Sequence, residues 1–292
     1  MECYRCENPD CGFTLEEEPD VCPHCGGTFF LRIDEEEMTA SDWVSLGGQA
    51  VDEKRDTDAL AYYQRASAMG DVQGLTNLGW CFEAGVGVEA DPKQAVVLYA
   101  QAAAREYVPA LTNLGYCYTY GIGVEKDLAK ALECFRKGAE QGFPRAQFLL
   151  GEAYSRGLGV EQSDEEAARW YQSAAWLGYP AAQTELGRCL EFGTGLPQSI
   201  EQAVKWYRAA AENGNAPGQC CLGFLYESGQ GVEQNWEEAV RWYRAAAEQG
   251  MPRAQCNLAW CYEYGKGVEQ NWKRAVHWYR QAADQEDPRG MF

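Results

Sequence analysis

The feature that most restricts this chain is a repeat of constant length. Leu-Gly recurs at Leu78-Gly79, Leu114-Gly115, Leu150-Gly151, Leu186-Gly187 and Leu222-Gly223, and Leu258-Ala259 differs by one methyl group. Each step is 36 residues. A Gly-x-Gly follows every pair: Gly85/Gly87, Gly121/Gly123, Gly157/Gly159, Gly193/Gly195, Gly229/Gly231 and Gly265/Gly267. The aromatics Tyr63, Tyr99, Phe135, Tyr171, Tyr207, Tyr243 and Tyr279 keep the same register, with no insertion or deletion from residue 59 to 285. A fixed period of this kind signals stacked units, none of which can bury its apolar face alone.

Each unit predicts two helices. In the copy that starts at Val108, Ala110, Leu111, Leu114 and Tyr118 follow helical spacing. Pro109 suits a first turn, and Gly121 and Gly123 end the helix because glycine accepts the positive φ of a helix stop. A second helix covers 128–139. The residue before each second helix is a good N-cap: Asp91, Asp127, Ser163, Ser199, Asn235 and Asn271. Gln94, Glu166, Gln202 and Glu238, three residues on, predict capping boxes. The glycine pairs follow helices rather than strands, so they read as helix stops and not as phosphate-binding loops. A degenerate first helix around Asp42-Trp43-Val44-Ser45-Leu46 and a second near 57–69 would cap the array at residues 41–71. Six full units span 72–287, and the tail 288–292 starts a further helix.

The combined pattern is Ala-x-x-x-Tyr-x-x-Ala-Ala…Gly, then Ala-x-x-x-Leu-Gly-x-x-Tyr-x-x-Gly-x-Gly-Val. It resembles the Sel-one-like repeat, a 36-residue relative of the tetratricopeptide repeat. Residues 232–250, Val-Glu-Gln-Asn-Trp-Glu-Glu-Ala-Val-Arg-Trp-Tyr-Arg-Ala-Ala-Ala-Glu-Gln-Gly, lie close to it. Glu106 and Glu286 replace the usual turn glycine, and Ala259 a helix glycine. The resemblance implies an all-α, right-handed α-solenoid (an α/α superhelix) that binds other proteins.

The first residues differ in kind. Cys22-Pro-His-Cys25-Gly26 reads as a metal knuckle, with two thiolates on one ion. Tetrahedral coordination needs a second pair. Cys6 and Cys11 are chosen because Gly12 and Phe13 follow Cys11 as Gly26 follows Cys25; Cys3-x-x-Cys6 is the rival pair. The segment 1–33 resembles a rubredoxin-like zinc ribbon, with zinc as the expected cofactor and iron as the alternative. Some thirty residues cannot support their own core, and metal binding can drive such folding. His24 reads as a solvated turn residue, and residues 34–40 as an acidic linker.

The chain carries 25 basic and 44 acidic residues, a net charge of −19. Eleven of the acids lie in residues 1–37 beside only Arg5 and Arg32. Such a surface disfavours nucleic acid and anionic membranes and favours basic partner segments. No apolar run of about 18 residues exists, and no secretory leader opens the chain, so a soluble cytoplasmic protein is expected. Thirteen cysteines in a reducing compartment read as metal ligands and core filler rather than disulfides. Cys81, Cys117, Cys189 and Cys261 share one register position.

In tetratricopeptide-like stacks the first helices line a concave groove. The residue after each Leu-Gly pair would face it, and here varies: Trp80, Tyr116, Glu152, Arg188, Phe224, Trp260. Four residues on, Tyr120, Arg156, Phe192 and Tyr264 lie in the other varying row. Enrichment in Trp, Tyr and Arg is the composition of a contact surface. A tryptophan row (Trp170, Trp206, Trp242, Trp278) reads instead as packing between repeats, and a basic stripe on the second helices as a solvated face. The expected function is a non-enzymatic scaffold whose groove holds a protein or peptide segment. Two alternatives are a hydrolase like the cysteine-rich β-lactamase-like branch of the family, and a nucleic-acid regulator acting through the ribbon. The chain has no Ser-x-x-Lys motif and only two histidines, His24 and His277, on separate segments. The ribbon's acidity opposes the second alternative.

Overall fold

The computed structural model describes residues 2–6, 8, 11, 13–16, 22–26 and 30–285. The start of a further helix at 288–292 and the Glu286 turn, both expected from the sequence, lie outside the described residues. The chain divides into two compact units, 1–141 and 142–292.

The first unit opens with three antiparallel strands, β1 (Glu2–Cys6), β2 (Thr14–Leu15) and β3 (Phe30–Asp34), in the order β2-β1-β3. A 3-10 turn, Glu35–Glu37, leads into six helices. These are α1 (Ala40–Asp52), α2 (Asp56–Ala68), α3 (Val72–Ala84), α4 (Pro92–Ala103), α5 (Val108–Tyr120) and α6 (Leu128–Glu140). The second unit has eight: α7 (Pro144–Arg156), α8 (Asp164–Trp176), α9 (Pro180–Phe192), α10 (Ile200–Glu212), α11 (Ala216–Ser228), α12 (Trp236–Glu248), α13 (Pro252–Tyr264) and α14 (Trp272–Ala283). In both units each odd-numbered helix pairs with the even-numbered one after it, and the pairs stack in sequence. This is the helix-pair architecture of an α-solenoid.

The register explains the pairing. The Leu-Gly glycine has no side chain, and the aromatic twenty residues later fills the space. A Cβ at Gly79 would sit 2.7 Å from the Tyr99 ring, at Gly115 2.6 Å from Phe135 and at Gly187 2.7 Å from Tyr207. Tyr99, Tyr207 and Tyr243 are fully buried as a result. A buried phenol still needs a partner. The Tyr99, Tyr207 and Tyr243 hydroxyls donate to Glu83, Glu191 and Glu227, all sixteen residues earlier. In the second repeat both members change together: the ring is Phe135, and Thr119 stands where the glutamate would. In the third, Ser155 holds that place and Glu152, one turn back, accepts from Tyr171 at 2.9 Å.

The two loop glycines do different work. Gly85 is the left-handed cap that ends α3, with φ 75°. Gly123 allows close approach: a Cβ there would fall 2.1 Å from the Pro92 carbonyl oxygen at the start of α4. The turn at Glu106 keeps a positive φ of 60° without a glycine.

The six expected N-cap residues stand at the N-caps of α4, α6, α8, α10, α12 and α14. Ser199 alone of the six makes no side-chain bond there. The expected capping boxes are a correction. Glu166 and Glu238 turn outward to Arg169 and Arg241, one turn on, instead of reaching back. Among the described residues the reciprocal box forms only at α1, between Thr39 and Asp42.

Candidate functional site

The cysteines come together through the sheet. Cys6 ends β1, Cys11 sits in the turn that follows, and Cys22 and Cys25 flank a short turn. The Cys6 amide donates to the Phe13 carbonyl at 2.8 Å and the Gly26 amide to Cys22 at 2.9 Å, which holds both turns in place. Gly26 takes a positive φ of 74° there. The four sulfurs lie within 4.8 Å of one another, with Cys6–Cys25 and Cys11–Cys22 both at 3.6 Å. A tetrahedron of radius about 2.3 Å, the zinc–sulfur distance, has edges of roughly 3.8 Å, so the cluster has the size of a four-thiolate metal site.

The same crowding is unfavourable for metal-free thiolates. Desolvation, followed by its bonds to the neighbouring thiols, pushes Cys11 up to about 12, although a backbone bond at Phe13 opposes it. His24 is exposed, with Nδ1 3.4 Å from the Cys11 sulfur and its ring stacked on Phe13. Cys3 lies elsewhere. It is fully buried with Ile33, Met38, Trp43 and Leu46. Residues three apart on a strand face opposite sides, so β1 directs Cys3 and Cys6 differently.

The strands are tied to the helices by a polar network. Asp42, 1% exposed on α1, takes the Arg5 guanidinium from β1. It also accepts from the Thr14 hydroxyl of β2 and from the Thr39 amide and hydroxyl. Burial alone would raise the Asp42 carboxyl; the bonds from Arg5, Thr14 and Thr39 outweigh it and hold the group below its ordinary 3.8. Glu16, just past β2, is gripped by Arg55 and Tyr62. The stretch 34–40, expected as a linker, is part of this contact: Met38 is buried and Glu35 pairs with Arg65 of α2. Sequence reasoning missed the docking, because Arg5 and Asp42 are 37 residues apart and outside any periodic pattern.

Most of the varying positions on the odd-numbered helices are solvent-facing in each unit, whereas Glu152 turns to Tyr171. In the first unit Trp80 and Tyr120 are exposed and Tyr116 half-buried, its ring 4.6 Å from Tyr120. In the second unit Arg156, Arg188, Phe192, Phe224, Trp260 and Tyr264 are exposed, Phe192 to 67%. Trp260 stacks on Trp236 and lies 5.0 Å from Tyr264. A cavity of about 510 Å³ opens between α9, α11 and α13, with Arg188, Phe192 and Phe224 on its wall. The tryptophan row of the even helices is half-buried, and Trp206 meets Trp176 edge-on at 5.1 Å. In the basic stripe Arg169 and Arg241 are paired with Glu166 and Glu238.

The register cysteines are inert. Burial pushes Cys81, Cys117 and Cys261 up to about 12 and Cys189 up to about 11. None of the thirteen cysteines is joined in a disulfide. Among the described residues no helix is long and apolar enough to cross a membrane.

These features agree with the comparisons to known proteins. The Sel1 repeat matches residues 45–71, 72–107, 108–143, 144–179, 180–215, 216–251 and 252–287. A Sel1 repeat protein from Oxalobacter formigenes is similar at 32% identity and a TM-score of 0.74, over 82% of this chain and 98% of that one. The protective antigen c5321 of uropathogenic Escherichia coli, described as displaying an SLR fold, is 34% identical with a TM-score of 0.64, over 88% of this chain and 56% of its own. The immunity protein Pa5087 from Pseudomonas aeruginosa shares the fold at 23% identity and a TM-score of 0.53, over 75% of this chain and 83% of that one. None of the curated proteins matches. With its repeats matched from residue 45 to 287 and the helix pairs that those repeats build, the chain belongs to the Sel1 repeat family.

Proposed function

We propose that the protein is a non-enzymatic scaffold that holds a segment of another protein on the solvent-facing surface of its first-type helices, with a structural zinc in its N-terminal sheet. Sel1 repeat proteins are in general protein-interaction scaffolds. The observation that carries the reading is the exposure of Trp80, Tyr120, Phe192, Phe224, Trp260 and Tyr264 at the varying positions of an otherwise constant repeat. Packing does not require an aromatic at a solvent-facing position, whereas aromatic and Arg anchors dominate binding surfaces.

Cys6, Cys11, Cys22 and Cys25 would hold the metal. Four thiolates in tetrahedral spacing suit zinc or iron, and a closed four-cysteine set suits a structural zinc. The bound ion would neutralise the thiolates and fix the two turns. Arg5 and Thr14, each within three residues of a ligand cysteine, and Glu16, five residues past Cys11, then carry that order to α1 and α2.

The test is affinity capture with wild type beside a Trp80→Ala/Trp260→Ala variant of equal thermal stability. Loss of specific partners in the variant supports the reading, and equal recovery of the same proteins contradicts it. For the metal, protein purified without chelator should carry about one zinc per chain, and a stoichiometry near zero would remove the assignment.

A further inference from the structure

The varying positions of the two units differ in charge. In the first unit, α3 and α5 present Trp80, Tyr116 and Tyr120 and contain no Lys or Arg. In the second, the first-type helices bring Arg145, Arg156, Arg188 and Arg253. There Trp260 stacks on Trp236, and the Lys266 ammonium lies 5.6 Å from the Trp236 ring centre. The second unit thus supplies cations of its own to this surface. In the first, among the described residues, no cation lies over Trp80, Tyr116 or Tyr120.

The surroundings of these three rings carry negative charge. Residues 1–141 hold 25 acidic and 11 basic residues, a net charge of −14, against −5 for 142–292. Glu83, three residues past Trp80, is half-exposed and accepts the Tyr99 hydroxyl through one oxygen, at 2.6 Å. The loop after α5 holds Lys126 between Glu125 and Asp127. Tyr120 ends α5, where the last carbonyls of a helix place partial negative charge. Cations already stack on other rings of this unit, Arg65 over Trp43 at 4.4 Å and Lys130 over Tyr118 at 5.4 Å. An exposed ring in a negative field attracts a cation twice over, through the electron-rich face at short range and through charge at longer range.

Resting on the scaffold reading above, we infer that the first unit takes an arginine-rich segment of the partner, with guanidinium groups laid on Trp80, Tyr116 and Tyr120. Arginine suits these rings better than lysine. Its planar, weakly hydrated head stacks on an aromatic face, whereas an ammonium is compact and strongly hydrated. Tyr116 and Tyr120, with ring centres 4.6 Å apart and planes inclined by 50°, form one aromatic surface for such a head. The charge of −14 steers the segment in and is screened by salt; the ring contacts act at short range and decide which cation stays.

The test is fluorescence anisotropy with three labelled peptides of equal length. One is built from Arg, Gly and Ser; the others replace Arg by Lys or by citrulline, its neutral analogue. Each is titrated with the full-length protein, with Trp80→Ala/Tyr120→Ala and with Trp260→Ala/Tyr264→Ala, all with native circular dichroism. Wild type should bind the arginine peptide about tenfold or more tighter than the citrulline peptide, and measurably tighter than the lysine peptide. Trp80→Ala/Tyr120→Ala should weaken arginine binding by about tenfold, the size of two exposed cation–π contacts, and should leave its salt dependence unchanged because no charge is removed. Trp260→Ala/Tyr264→Ala should bind as wild type does. Equal binding of the arginine and lysine peptides, or an arginine affinity untouched in Trp80→Ala/Tyr120→Ala, would mean that diffuse acidity alone attracts the peptide and would overturn the inference. Loss in Trp260→Ala/Tyr264→Ala instead would put the contact in the second unit and overturn it too. If no peptide binds while wild type still captures partners that Trp80→Ala/Trp260→Ala does not, this inference fails and the scaffold reading stands. Equal capture by those two proteins removes the scaffold reading, and this inference with it.

Discussion

Gly187 has no room for a β-carbon, because one placed there would lie 2.7 Å from the buried ring of Tyr207. Overpacking of this kind costs about 1–3 kcal/mol, more than the roughly 1 kcal/mol of helix propensity that alanine returns. Gly187→Ala should therefore destabilise the protein by up to about 2 kcal/mol in urea unfolding. Glu106 presents the opposite case. Its φ of 60° is strained for a residue with a side chain, and Glu106→Gly should raise stability by about 0.5–1 kcal/mol in the same assay. The glycine–aromatic register is legible in the sequence because it recurs. The Tyr–Glu bonds are less so: partners sixteen residues apart share neither a helix face nor a strand, and only the joint change at Thr119 and Phe135 hints at them.

At the scale of elements, helices and their ends follow from local chemistry, with proline at the start, glycine at the stop and a polar N-cap between. The outward turn of Glu166 and Glu238 does not, since an arginine one turn on competes for the carboxylate that a box would use. The four cysteines could be chosen from spacing, but the docking of their sheet could not, because Asp42 belongs to no repeat. Asp42→Ala would leave Arg5 without its carboxylate at a half-covered site and should cost about 3 kcal/mol, the low end for breaking a buried pair because solvent reaches Arg5. The pH dependence has a definite sign. The folded Asp42 carboxyl titrates below its unfolded value of 3.8, so its contribution is present above that pH and is lost as pH falls through the folded value. Metal-free protein should thus lose stability below about pH 4, and Asp42→Asn should flatten that part of the profile. Loss of the sheet–helix contact should appear as faster hydrogen exchange in α1 and α2.

Across the molecule, the register cysteines bring an alkaline limit. Buried thiols raised from about 9 to about 12 remain protonated in the folded state while the unfolded chain ionises. Their stabilisation is full below pH 9 and is lost as pH climbs through the folded values. A thiol reagent at pH 8 should label exposed Cys25 in chelated native protein and spare Cys81, Cys117 and Cys261 until unfolding. The larger claim is a division of labour within one repeated unit, in which constant positions build the stack and varying ones meet a partner. Unfolding free energies of single alanine variants test this most directly. Phe192→Ala and Tyr264→Ala should each cost under about 1 kcal/mol, as surface positions do, while Tyr207→Ala and Tyr243→Ala should each cost about 3–5 kcal/mol. Equal losses at both sets would mean that the varying aromatics belong to the packing, and would contradict the account.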